Sequence, residues 1–366
     1  MAPLEPWEKV LVSLEFTESV HGSAACTDCH GGQMAEDKDT AHQGLVANPT
    51  TDPEKLCGSC HQEIAASFPN SLHATLDGYW TVLETRSTPE NHPKIEEAFG
   101  NHCASCHTTC GDCHVSQPSS VGGGLLNGHL FEKTPPMTRT CTACHGSRVG
   151  AEYLGKHEEI PGDVHFREGR MNCVACHQGV DLHAASEEDA GHRYAGVQLP
   201  ACQDCHDQVA ASGDKIVQHS LHQDKLSCQV CHSVQYTSCD GCHVAISEST
   251  GNPFYKTEGD YLTFFIGKNP RQDENRPYEY VPVRHVPAAV TSFEFYGANL
   301  LSNFNALPTW AYATPHNIQR KTPQNSACTN CHGNAEIFLT ADKVKPEELE
   351  ANRPVIVEEA PPPAGQ

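Results

Sequence analysis

The sequence predicts a fold of loops and short helices gathered around bound cofactors, with one small β-hairpin element near residues 254–312. Three observations predict it. The pattern C-x-x-C-H occurs ten times and uses all 20 cysteines. Only 38% of residues are hydrophobic and 7% aromatic, thin for a chain of 366. Glycine and proline, at 28 and 25 positions, repeatedly interrupt regular structure.

The ten pairs are Cys26 with Cys29, Cys57 with Cys60, Cys103 with Cys106, Cys110 with Cys113, Cys141 with Cys144, Cys173 with Cys176, Cys202 with Cys205, Cys228 with Cys231, Cys239 with Cys242, and Cys328 with Cys331. Two thiols at this spacing can bond both vinyl groups of one porphyrin, and the following histidine reaches the iron from the proximal side. Zinc knuckles and redox dithiols also use C-x-x-C, but neither needs a histidine after every pair. The expected cofactors are therefore ten covalently attached haem c groups. Their apolar faces would supply the buried surface that the side chains lack, so a chain without haem is expected not to fold.

Ten proximal iron ligands follow from the motifs: His30, His61, His107, His114, His145, His177, His206, His232, His243 and His332. With only four methionines in the chain, most distal positions must also be histidine. Twelve distal candidates are His21, His42, His73, His102, His129, His165, His183, His192, His219, His222, His285 and His316, while His92 and His157 stand in charged, loop-like stretches and are read as bystanders. Histidine on both faces makes an iron six-coordinate and low-spin, with a potential below that of a Met/His site. Such a site passes electrons and binds no substrate, so no catalytic residue is expected.

The motif order single, single, tight pair, single occurs twice, which reads as an internal duplication. His129, Pro136 and CTACHG at 141–146 repeat with the same spacing as His316, Pro323 and CTNCHG at 328–333. This gives a five-haem half at 1–156 and a second at 157–341. In each tight pair the linker is short, two residues between His107 and Cys110 and six between His232 and Cys239. Three extended residues span only about 10–11 Å, so the third and fourth haems must lie close together.

The second half carries a haem-free aromatic insertion at 244–315. Alternation in Tyr278–Val281 and Ser292–Phe295 suggests β-hairpins there. From residue 342 to 366 the chain is charged and ends in EEAPPPAGQ, which reads as an extended tail without a core. Gly122–Gly124 lacks the lysine of a phosphate-binding loop and reads as a turn.

The formal net charge of −22 argues against a nucleic-acid partner. No stretch of 18 apolar residues offers a transmembrane segment. The start MAPLEPWEKV shows no export leader, so the numbering is taken to begin near a mature terminus.

Ten C-x-x-C-H motifs with histidine-rich intervals, from Cys26 to His332, resemble the multihaem c-type cytochromes of extracellular electron transfer. Within that group the compact acidic chain resembles cytochromes that polymerise into haem-stacked nanowires. The resemblance implies an extracellular or cell-surface homopolymer delivering electrons to other redox proteins or to acceptors such as metal oxides. Two alternatives are a periplasmic decahaem conduit docked to an outer-membrane porin and a multihaem reductase with one open haem. Every motif here is regular, which speaks against the reductase.

Overall fold

A computed structural model of the chain describes residues 12–103, 108–183, 199–210, 215–239, 242–257, 259–273, 276–286 and 288–364. Most described helices are one or two turns long. Several coincide with motifs: Cys26–His30, Cys110–His114, Cys141–His145 and Cys228–His232 are α-helical, whereas Cys173–Ala175, Cys202–Asp204 and Cys328–Asn330 are 3₁₀ turns. An aspartate at the third motif position fixes some of these turns. Asp28, Asp112 and Asp204 each accept a hydrogen bond from the backbone N–H just before their motif, at 2.9, 2.8 and 2.9 Å. That satisfies a donor which a helix start would otherwise leave unpaired.

The chain forms two compact units that interleave in sequence. Unit 1 comprises Met1–Gly78, Ser105–His145 and His177–Val197, and unit 2 comprises Tyr79–Ala104, Gly146–Cys176 and Gln198–Gln366. The halves 1–156 and 157–341, read from the repeat, are therefore not the compact units. Residues 79–104 belong with unit 2 because helix His92–His102 buries Ile95 against Leu300 and Leu301, with Trp80 and Leu83 alongside. Arg86 adds a polar tie, donating to the carbonyls of Phe304 and, at 3.0 Å, Pro308.

Unit 2 has a side-chain core and unit 1 has little of one. In unit 1 the buried apolar residues are Ala65, Phe68, Leu76, Val115 and Leu126. Among the described residues unit 2 contains seven strands: β1 (Tyr236–Cys239), β2 (Cys242–Ile246), β3 (Pro253–Thr257), β4 (Asp260–Thr263), β5 (Phe265–Lys268), β6 (Tyr280–His285) and β7 (Trp310–Tyr312). β1 pairs with β4 and β2 with β3, both antiparallel, while β5, β6 and β7 form an antiparallel sheet with Phe265 opposite Val283 and Val283 opposite Tyr312.

Two sequence expectations are corrected here. Strand pairing begins at Tyr236, ahead of the expected element, and Ser292–Phe295 is not a strand. That stretch forms turns because Ser292 Oγ accepts from Ala289 N at 3.2 Å and successive amides bond three residues back, as Glu294 does to Thr291. The tail is not coreless either. Val344, Val355 and Ile356 are buried with Val281, Val283, Trp310 and Leu339, and Val357 joins Val230, Ile266 and Phe338. Backbone bonds from Lys268 N to Val355 O and from Val357 N to Leu339 O dock it on the sheet.

Lys343 closes the turn that starts this docking. Its Nζ donates to the carbonyls of Ala335, Glu336 and Phe338 at 2.7, 2.9 and 2.8 Å, and it lies 5.1 Å from the Phe265 ring centre. Lys343→Met keeps the aliphatic stem but removes three charge-assisted bonds. It is expected to lower unfolding stability by about 2 kcal/mol, measured by denaturant titration followed by far-ultraviolet circular dichroism.

Candidate iron-ligand sites

The histidines meet in pairs, and each pair joins one motif histidine to one from elsewhere. In unit 1 the ring centres of His30 and His129 are 6.0 Å apart, His61 and His21 6.2 Å, His114 and His183 6.0 Å, and His145 and His73 6.3 Å. In unit 2 the corresponding distances are 6.1 Å for His206 and His165, 6.0 Å for His232 and His219, and 6.1 Å for His332 and His222. Two imidazoles bound to opposite faces of one metal, at about 2.0–2.1 Å per bond, hold their ring centres about 6.3 Å apart. The pairs have the spacing needed to hold an iron between them.

Hydrogen bonds fix which ring nitrogen is left for a metal. Nδ1 donates to a backbone carbonyl in His30 (Val46, 3.1 Å), His114 (Glu132, 2.7 Å), His232 (Gln319, 3.1 Å) and His332 (Pro362, 3.0 Å). The same holds for His222, toward Gln218 at 2.9 Å, and for His316, toward Thr314 at 2.8 Å. His165 Nδ1 donates instead to the Asp163 carboxylate at 2.8 Å. A protonated, anchored Nδ1 directs the Nε2 lone pair outward, the posture of a metal-bound imidazole.

Burial keeps several of these rings neutral. His73 is pushed down to about 4, first by burial and then by the nearby His145, His177 and His183. Burial also lowers His183 and His232. An iron ligand must be the neutral imidazole, so these environments favour metal over proton.

Two candidates are placed otherwise. His102 Nε2 lies 2.7 Å from the Tyr296 hydroxyl, and His285 Nε2 lies 2.7 Å from Glu348 Oε2 in the buried core. In both, the nitrogen that an iron would need is already engaged. Among the described contacts both rings are thus set on protein partners rather than paired with a motif histidine. Sequence gives no hint of the His285 contact, because Glu348 lies 63 residues away.

His157, read as a bystander, meets Thr237 Oγ1 through Nε2 at 3.1 Å. His92, also read as a bystander, has Nε2 buried without a hydrogen-bond partner among the described residues, which makes it a ligand candidate that the sequence reading passed over. Its place beside Pro93 at a helix start was the available signal. His42 is exposed at the end of helix Lys38–Ala41. Cys106, His107 and His192 lie outside the described residues, as do the side chains of Cys239, Cys242 and His243.

The cysteines read as haem attachment points differ in how far the polypeptide covers them. The polypeptide leaves Cys29, Cys60 and Cys205 exposed, together with Cys26, Cys176 and Cys328. Their motifs sit at one-turn helices or turns. Cys60 meets only a neighbouring hydroxyl, that of Ser59, at 3.9 Å among the described contacts. Cys144 is half-buried, with Sγ 3.9 Å from the Ser120 hydroxyl, and Cys57, Cys103, Cys110, Cys113, Cys141, Cys173, Cys202, Cys228, Cys231 and Cys331 are likewise half-buried.

Cysteines of different motifs also come together. Cys57 lies near Cys110 in unit 1, and Cys202 near Cys228 in unit 2. Among the described residues no helix is long and apolar enough to cross a membrane.

Comparison with known proteins gives one informative likeness. The chain is 25% identical over 162 residues to cytochrome c-554 of Nitrosomonas europaea, a match covering 38% of this chain and 62% of that protein. No family model matches the chain, and no solved structure matches it. The chain thus spans less than two thirds of the length of that relative.

Proposed function

We propose that the chain is an electron carrier in which ten haem c groups, bound through the C-x-x-C-H motifs, are ligated mainly by histidine on both faces. The observation that carries this is the set of seven histidine pairs at 6.0–6.3 Å, each uniting a motif histidine with a remote one. His21, His73, His129, His165, His183, His219 and His222 are the distal ligands in this reading. His42, His92, His192 and His316 remain for the other three irons. The haem supplies reversible one-electron chemistry. The protein holds two neutral imidazoles at each iron, fixes their tautomers and leaves no open coordination position at these seven sites.

The test is spectroscopic. The haem-loaded protein is expected to show ten haems per chain by pyridine haemochrome and mass, with wholly low-spin spectra. His183→Ala removes the partner of His114, so one haem in ten is expected to become high-spin and, once reduced, to bind one carbon monoxide per chain. His102→Ala is expected to leave the spin state unchanged. A low-spin His183→Ala protein that takes up no carbon monoxide would refute the pairing.

The finer proposal is an extracellular homopolymer carrying electrons to external acceptors. It is supported by the resemblance to filament-forming multihaem cytochromes and by the net charge of −22. Electron microscopy of the haem-loaded protein decides it, long uniform filaments supporting a wire and discrete particles a soluble or porin-docked carrier.

A further inference from the structure

One of the paired histidines is anchored on a charge. Nδ1 of His30, His114, His222, His232 and His332 donates to a backbone carbonyl, whereas Nδ1 of His165 donates to the Asp163 carboxylate at 2.8 Å. His165 faces the motif histidine His206, with 6.1 Å between ring centres. A carbonyl and a carboxylate both fix the tautomer of the ring. Only the carboxylate also brings a full negative charge to it.

The fold holds that carboxylate in place. Asp163 is 2% exposed. Its Oδ1 accepts from His165 N and from His165 Nδ1, both at 2.8 Å, and its Oδ2 accepts from Ile318 N at 2.9 Å. Three donors directed at one side chain suit an ionised carboxylate, which only accepts. The backbone on either side is tied as well, with Asp163 N donating to Tyr153 O and Val164 N to Ile318 O, each at 3.0 Å. Arg167, at the end of the same short helix, spends its guanidinium elsewhere, donating from Nε to the Gly162 carbonyl at 2.7 Å and from Nη2 to Gln319 Oε1 at 3.0 Å.

The neighbouring residue of the same strap supplies the contrasting case. Gln319, next to Ile318, accepts from His232 Nδ1 on its carbonyl at 3.1 Å, and Gln319 N donates to His232 O at 2.7 Å. Residues 318 and 319 thus support one paired histidine through a carboxylate and another through a neutral carbonyl.

A hydrogen bond from Nδ1 to an anion raises the basicity of the imidazole toward a metal. Ferric iron carries one more positive charge than ferrous iron, so a more basic ligand and a nearby negative charge both favour the oxidised state. Burial preserves the effect, because a buried charge is screened far less than one in solvent. We propose that Asp163 is a positioning residue that lowers the reduction potential of the iron held between His165 and His206, making that haem a readier electron donor than a carbonyl anchor would. This rests on the reading of the paired histidines as iron ligands and adds a determinant of potential to one pair.

Asp163→Asn tests it on the haem-loaded full chain. The substitution removes the charge but leaves an amide oxygen to accept from Nδ1, the kind of anchor that His232 has. In a spectroelectrochemical titration, one-tenth of the amplitude is expected to move to higher potential by about tenfold in the reduction equilibrium, about 59 mV for a one-electron couple. Ten haems and the low-spin spectrum are expected to be retained. A titration that superimposes on that of the unsubstituted protein overturns the proposal. Should the amide release the ligand instead, so that the reduced protein binds one carbon monoxide per chain, Asp163→Glu decides, because it restores the charge. A low-spin Asp163→Glu protein with the unsubstituted titration then supports the role of the carboxylate, and any other result overturns it. His165→Ala separates the tuning from the pairing beneath it. A low-spin His165→Ala protein refutes the pairing with His206 itself, whereas one high-spin haem there, together with an unmoved Asp163→Asn titration, refutes the tuning alone.

Discussion

Prepared without haem, the chain is expected to keep slow amide exchange in β5, β6, β7 and the docked tail, while unit 1 exchanges at the rate of an unfolded chain. The difference lies in where apolar surface is buried. Ala65, Phe68, Leu76, Val115 and Leu126 are the apolar side chains that the described residues of unit 1 bury. At roughly 1.5–3 kcal/mol for each large side chain they contribute on the order of 10 kcal/mol, which ordering about ten residues would consume. Unit 2 instead has three side-chain clusters, one of them gathering Val281, Val283, Trp310, Leu339 and Val355. Hydrogen exchange read by mass spectrometry checks this directly. Equal protection of the two units would show that haem is not what organises unit 1. The expectation that the whole chain needs haem to fold is thereby narrowed to the unit whose sequence is poorest in buried side chains.

Glu348→Ala is expected to cost about 2–4 kcal/mol, the scale for leaving two buried donors without their acceptor. Glu348 Oε2 accepts from His285 Nε2 at 2.7 Å and from Thr309 Oγ1 at 2.6 Å. Asn352 extends the network, donating through Nδ2 to Thr309 Oγ1 at 2.8 Å and accepting from Trp310 N at 2.8 Å. Both side chains are nearly inaccessible, at 3% and 7% exposure, so water cannot replace the lost carboxylate. Burial alone would raise the Glu348 carboxyl, but the hydrogen bonds from His285 and Thr309 outweigh it and hold the group below its ordinary 4.5. A folded value below the unfolded one means that this stability is present above pH about 4.5 and disappears as pH falls through the lowered value. Denaturant midpoints measured from pH 7 to pH 3 are expected to drop along that limb in the native chain and to be flatter in Glu348→Ala. Parallel limbs in the two proteins would show that the carboxylate does not carry the dependence.

Histidine placement was the part of the candidate site most legible in sequence, because haem attachment would require particular side chains at particular spacing. All seven remote histidines in the observed pairs were among the twelve candidates. Which histidine faces which motif was not legible. His21 stands five residues before Cys26 yet faces His61, and His183 lies beyond two further motifs from His114. Such pairings depend on tertiary packing rather than on local pattern. Exposure was equally hidden, since Cys29 and Cys113 hold the same place in their motifs, yet only the first is left open to solvent. The His285 contact was hidden as well, because a buried histidine on β6 looks the same in sequence whether a carboxylate or an iron meets it. The tail misled through composition. Its prolines and acids outnumber Val344 and Val355–Val357, but those few apolar residues are the ones that dock.

The crossed histidine pairs also impose a timetable. A chain emerging N-terminus first presents His21, His73, His165, His219 and His222 before the motifs they face, so the second, fifth, seventh, eighth and tenth irons can acquire both imidazoles as soon as each haem is attached. The first and fourth irons must wait, because His129 and His183 follow their motifs by 99 and 69 residues. For that interval each would have one vacant axial position, open to water or to a histidine meant for another haem. The proposed pairing therefore puts the risk of misligation early in assembly and within unit 1, the unit with the smaller side-chain core to correct it.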